Sequence, residues 1–307
     1  MRIWLLGLAV LTLVPTASLT PTCADPGTAN QAANDRNLRS SGFEPSRYRL
    51  VWDDEFDRLS LSDNFPTTER WQTHFGKWNV RNLPDNGDKG VKVADWTPLV
   101  SGRTVAEALK SVGDPSKPGG FLHVVTKGTL KLHAYTLPER LQSEFWGFPY
   151  VASMISGESS FHQAYGYWEV RLRLNHLGKG HHFALWLVST DAIWPPEIDL
   201  LEVVGTNPHQ FTANLNDGGK TKPAMKFYEE PSTPDGFHVF GLQRTPEVIR
   251  WMIDGHVIRE TPELIGQKEL YLIASFEIAS RWPGNPDETT PWPAEVEIDY
   301  VRIYAPP

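Results

Sequence analysis

A chain of 307 residues can fold as one large β domain or as two ordinary domains, and it can bury a sizeable core. Its formal net charge of −8 argues against nucleic-acid binding, which depends on clustered Lys and Arg. Twelve Trp, fourteen Phe and nine Tyr exceed what a core of this size usually takes, and the surplus suggests platforms for a flat ligand.

Residues 1–24 read as an export signal: Arg2, an apolar run from Ile3 to Val14, then small residues ending at Ala24 before Asp25. The run is too short to span a bilayer. Cleavage after Ala24 would remove Cys23, the single cysteine, so the mature chain would fold without disulfides. Thr20-Pro21-Thr22 does not fit a lipid-anchor site, which leaves a soluble, exported product, extracellular or periplasmic. Residues 25–46 are rich in Asn, Ala, Ser, Pro and Gly without periodicity and read as a flexible leader. Residues 47–307 form the single expected domain.

Tyr48 to Phe56 alternates as a first strand. Between Trp71 and Gly120 the alternation fails, apart from a short helix expected around Thr104 to Lys110, and such a long irregular segment suits loops near a binding face. Strand signals resume at Phe121–Thr126 and Leu130–Tyr135 across the turn Lys127-Gly128. They then recur at Ala152–Ile155, Gly166–Asn175, Phe183–Ser189, Glu197–Val204, Gln210–Leu215, His238–Arg244, Val248–Ile253, Leu270–Ile278 and Val296–Tyr304. Asp254-Gly255 supplies a tight hairpin turn. Many short strands with regular turn signals define an all-β sandwich of two antiparallel sheets.

Glu197-Ile198-Asp199-Leu200-Leu201-Glu202 stands out within this pattern. Alternation puts Glu197 and Asp199 on one face, but Glu202, five residues on, would enter the core, where an unpaired carboxylate is costly. A bulge at Leu200-Leu201 returns it to the face of the other two. Acids on a wet sheet face are common, so the trio alone does not establish catalysis. In the preceding strand His182, Ala184 and Trp186 lie opposite Phe183, Leu185 and Leu187. The apolar set faces the core, which leaves Trp186 and His182 beside the acids, ring stacking next to carboxylates. His181 and His182 point to opposite faces and cannot chelate one metal ion together.

With these residues placed, the chain resembles the family-16 glycoside hydrolases from about Leu50 to Tyr304. The most specific match is Glu197 to Glu202, similar to the bulged active-site strand of laminarinases, agarases and carrageenases. Val51 to Asp57, Tyr165 to Arg171, Gly180 to Leu187, Trp282 to Pro286 and Ile298 to Tyr304 support it in order. The resemblance implies a jelly-roll sandwich with an open concave cleft and retaining, endo-acting cleavage of β-linked polysaccharide. Glu197 would be the nucleophile, Glu202 the general acid and then base, and Asp199 the partner that tunes their charges. Trp186, His182, Trp168, Asn214, Asn216 and Trp282 are the candidate sugar contacts, while Trp78, Trp96, Trp146 and Trp292 either stack sugars or pack loops. Asp299 is the candidate ligand of a structural calcium; the chemistry requires no cofactor.

Three departures bear on substrate. His182 stands where a sugar-contacting Trp is frequent, Asn214 or Asn216 where a cleft-facing His is frequent, and Ile273 to Arg281 lacks a Gly-Gly seen in many laminarinases. They favour a related β-linked polymer, such as a bacterial exopolysaccharide, over plain laminarin or lichenan. A lectin-like binding protein and a transglycosylase on the same sandwich are the alternatives. The expected protein is a monomer.

Overall fold

A computed structural model describes residues 45–112, 121–219, 226–229 and 236–307. The expected signal at 1–24 and nearly all of the leader at 25–46 lie outside the described residues. The strands begin with β1 (Arg49–Asp54), β2 (Leu61–Ser62), β3 (Trp71–Gln72), β4 (Gly90–Lys92), β5 (His123–Thr126) and β6 (Thr129–Thr136). They continue with β7 (Tyr150–Ala152), β8 (Met154–Ser156), β9 (Gly166–His176), β10 (His181–Ser189), β11 (Glu197–Val204) and β12 (Gln210–Asn216). The last are β13 (Lys226–Glu229), β14 (His238–Arg244), β15 (Val248–Ile253), β16 (His256–Pro262), β17 (Leu270–Ile278) and β18 (Ala294–Ala305).

They form two packed sheets. The outer sheet runs β16-β15-β14-β9-β18-β6-β7-β4, with β1 added to β18 and β5 to β6; the cleft sheet runs β13-β12-β11-β10-β17-β8-β3-β2. The expectation of purely antiparallel sheets needs correction: β2 pairs with β3, and β4 with β7, in parallel. Both pairs sit at sheet edges. The single strand expected at 152–155 is also two. Ser153 separates β7, in the outer sheet, from β8, in the cleft sheet, so the chain changes layers there.

Local chemistry explains the turns. Lys127-Gly128 and Asp254-Gly255 each place two residues at positive φ, as tight hairpins require. The short helix is Val105–Leu109, where the Thr104 side chain accepts from the Glu107 amide and the Glu107 side chain accepts from that of Thr104.

Between the sheets, Phe183, Leu185 and Leu187 of β10 and Ile198, Leu200, Leu201 and Val203 of β11 meet Trp168, Val170 and Leu172 of β9. Trp168 is therefore a core residue, fully buried, and not a sugar platform. It shares its side of β9 with Val170 and Leu172, and β9 belongs to the outer sheet, whose apolar face points inward. Trp168→Ala should cost about 3–5 kcal/mol of stability in denaturant unfolding, while leaving KM nearly unchanged under conditions where the variant is folded.

Candidate active site

The register of β11 contains the irregularity that its sequence requires. Against β10, Leu185 pairs with Leu201 and Trp186 with Asp199, so Leu200 is the extra residue. Against β12, Asp199 pairs with Asn214 and Glu202 with Thr212, so Leu200 and Leu201 together oppose Ala213 alone. Leu200 and Leu201 both enter the core, and Glu202 returns to the face of Glu197 and Asp199.

The three acids line one open cavity of about 240 Å³ together with His182, Trp186 and Trp282. Trp186 is buried, its indole donating to the Ser275 hydroxyl at 3.1 Å. Trp282 is exposed, its ring centroid 5.0 Å from that of His182. Asn214 and Asn216 are half-buried on β12, opposite Asp199 and Glu197 in register, and do not line the cavity itself. Trp78 donates to the Ala192 carbonyl and packs on Phe75, and Trp292 stacks on Tyr150. These two rings pack loops. Trp96 and Trp146 are exposed away from the cavity lining.

Several cavity groups escape sequence reading. Glu277 lies on β17, paired in register with His182. A lone acid in an apolar strand, two residues after Ser275, was an available parity signal. Asn86 ends a single 3-10 turn, Pro84–Asn86, and Arg281 comes from a loop, where no periodicity marks either. Trp194, three residues before Glu197, donates its indole N–H to Glu197 Oε2 at 2.9 Å.

The electrostatics follow from burying so many acids together. Burial, helped by Glu202 and Glu277, pushes the Glu197 carboxyl up to about 7, against the Trp194 hydrogen bond and the charge of His182. Burial and then Glu202 and Glu197 raise Asp199 well above the carboxylate range. The hydrogen bond from Asn214 opposes this shift. Thr212 donates its hydroxyl to Glu202 Oε2 at 3.1 Å. Burial disfavours charge on His182, but Glu202 and Glu277 outweigh it and push the imidazolium up to about 10.

His181, on the other face, is the opposite case. Burial lowers it to about 4, and its ring meets Trp292 edge-on at 4.6 Å. Asp299 accepts from Arg171 Nη1 at 2.6 Å, and the described residues contain no group of three His, Cys, Asp or Glu side chains arranged to hold a metal. Calcium takes six to eight oxygen ligands. A carboxylate already paired with a guanidinium does not fit that role.

A two-sheet β-sandwich with a row of carboxyls and aromatic rings in an open cleft defines the carbohydrate-active class of such folds. The model of the glycosyl hydrolases family 16 matches residues 123–302, and the chain belongs to that family. It is 31% identical over 186 residues to the endo-1,3-1,4-beta-glycanase EglC of Rhizobium meliloti, covering 59% of this chain and 39% of that protein. It is 29% identical over 282 residues to the endo-1,3-1,4-beta-glycanase ExsH of the same organism, covering 88% and 56%. The chain thus spans only part of the length of these relatives. The catalytic domain of the Thermotoga petrophila endo-1,3-beta-glucanase superposes with a TM-score of 0.65 at 23% identity, covering 84% of this chain and 98% of that one, which shows the shared fold.

The raised Glu197 carboxyl has a consequence for stability. The unfolded chain ionises this group near 4.5 and the folded chain near 7, so its stabilising contribution is complete below 4.5 and is lost as pH rises through 7. Glu197→Gln removes that loss. Thermal melts should show the variant gaining on the wild type between pH 5 and pH 8, by on the order of 1–2 kcal/mol.

Proposed function

We propose that this protein is an exported, endo-acting, retaining glycosidase that cleaves internal β-glycosidic bonds of a glucan-like polysaccharide or a bacterial exopolysaccharide. The observation that carries the reading is the bulge in β11, which returns Glu202 to the cleft beside Glu197. A binding protein has no use for that irregularity. The names of EglC and ExsH support a mixed 1,3-1,4-linked substrate.

In this reading Glu197, ionised, attacks the anomeric carbon as Glu202 gives its proton to the departing oxygen. Water, deprotonated by Glu202, then releases the sugar from Glu197 with the anomeric configuration retained. Retention requires the two carboxyls to flank the bond at about 5–5.5 Å. Trp194 and His182 both favour the ionised form of Glu197. Asp199 lies buried between the two, where burial and its neighbours favour the protonated form, and in that form it can donate a hydrogen bond to an adjacent carboxylate. Trp282, the exposed ring of the cavity lining, supplies aromatic surface beside the acids.

The test measures new reducing ends from β-glucans, galactans and exopolysaccharides. Wild type should release them from at least one polymer, with products of retained configuration by NMR. Glu202→Gln should lose about 10²–10⁴-fold in kcat, and less on an aryl glycoside whose leaving group needs no proton. Equal release by wild type and Glu197→Gln would remove Glu197 from the nucleophile's role. Wild-type activity should rise with pH through about 7 as Glu197 ionises. Secretion of the full chain followed by mass spectrometry should find Asp25 at the mature N-terminus; an intact N-terminus would overturn the export assignment.

A further inference from the structure

Where the family resemblance places a sugar-contacting Trp, this chain has His182, and the structure gives that ring partners of its own. His182 Nε2 lies 3.4 Å from Glu202 Oε1, and His182 Nδ1 lies 3.7 Å from Glu277 Oε1. The imidazole thus lies between two carboxylates, one on β11 and one on β17, the strands that flank β10. Its ring is 5% exposed, too enclosed to act as a sugar platform.

The far end of this array is anchored. Asn86 donates its side-chain amide to Glu277 Oε1 at 3.2 Å, and the Lys92 charge also favours ionised Glu277. Burial opposes that charge, yet these contacts and His182 hold the Glu277 carboxyl down at about 2. The remaining titratable groups facing this part of the cavity are Glu197 and Asp199 on β11 and Arg281 on the rim. Buried charges of this kind are poor stabilisers compared with apolar side chains of the same volume. An apolar array of the same volume would serve stability as well, so these charges need an explanation other than stability.

We propose that His182, clamped between Glu277 and Glu202, is a positioning residue that holds the Glu202 carboxyl toward the bond being cleaved and couples it to the fixed anion Glu277. This role rests on the glycosidase reading above. In it the imidazolium never leaves its place. Its Nδ1 side faces a carboxylate that does not react, and its Nε2 side faces the one that exchanges a proton with the leaving oxygen and then with water. The two partners act with opposite sign on Glu202. Removing the cation makes its proton harder to lose, and removing the anion makes it easier.

The experiment compares pH profiles of kcat/KM for wild type, His182→Gln and Glu277→Gln on the polysaccharide that wild type cleaves best, with folding checked by near-UV circular dichroism. The alkaline limb should move up by about one pH unit or more in His182→Gln and down in Glu277→Gln. In His182→Gln kcat should fall about 10- to 100-fold, while KM changes less than about 3-fold. In parallel, ¹⁵N NMR of labelled protein should show the His182 ring still protonated at pH 8. It should titrate lower in Glu277→Gln, and that variant and the ring titration carry the test if His182→Gln does not fold. A neutral ring at pH 7 would overturn the proposal. So would limbs that shift in the same direction, or a large rise in KM with an unmoved profile, the signature of a sugar contact. Absence of cleavage by wild type would overturn the glycosidase reading and this role with it, whereas the other failures overturn this role alone.

Discussion

Residues five apart cannot share one face of a regular strand, and the candidate site depends on escaping that rule. The escape is local: Leu200 and Leu201 enter the core side by side, and everything after them is shifted by one step. Had either been polar, the bulge would have traded a buried acid for a buried polar group. The outer sheet contributes as well. Trp251 on β15 reaches across the core to donate its indole N–H to the Asp199 carbonyl at 2.8 Å, at the start of the bulge. Arg259 on β16 stacks over that indole and donates to the Ala213 carbonyl of β12. Both sheets therefore fix the backbone on which the acids sit.

Gathering the acids creates an electrostatic problem that the fold divides between two devices. On β11 the repulsion is met by a shift toward protonation, since burial and the neighbouring acids raise both Asp199 and Glu197, the latter to about 7. On β17 it is met by a cation, because Glu277 is ionised against His182 and the nearby Lys92. The cation provides a reference against which a neighbouring carboxyl can gain and lose a proton.

Much of this was legible in the chain. Strand parity located the acids, the bulge, Trp186 and His182, because each depends only on alternation along one strand. Parity failed where the answer depends on which sheet a strand joins. Trp168 shares its face with Val170 and Leu172, but only the pairing of β9 with β14 and β18 puts that face inward. Glu277 was readable in principle, since its neighbours Phe276 and Ile278 are core residues. Its meaning arises only across the ladder, opposite His182. Asn86 had no readable signal, because it belongs to a loop whose path is set by tertiary contacts.

That loop shows why the long irregular segment after β3 belongs to the site. Asp88 accepts from the amides of Gly90 and Ile278 through one oxygen, and its other oxygen pairs with Lys92 in a contact closed to solvent. The Lys89 amide donates to the Ile278 carbonyl, so the loop is stitched to the end of β17 in both directions. Gly87, at φ 77°, lies under Arg281, where a Cβ would come within 3.3 Å of Cγ. The Arg281 amide donates to the Asn86 carbonyl, which closes the loop against the segment carrying Trp282. A segment without periodicity is thus held at one edge of the cleft by a buried ion pair and backbone hydrogen bonds. It brings the Asn86 amide to Glu277 and adds Leu83 and Asn86 to the cavity lining.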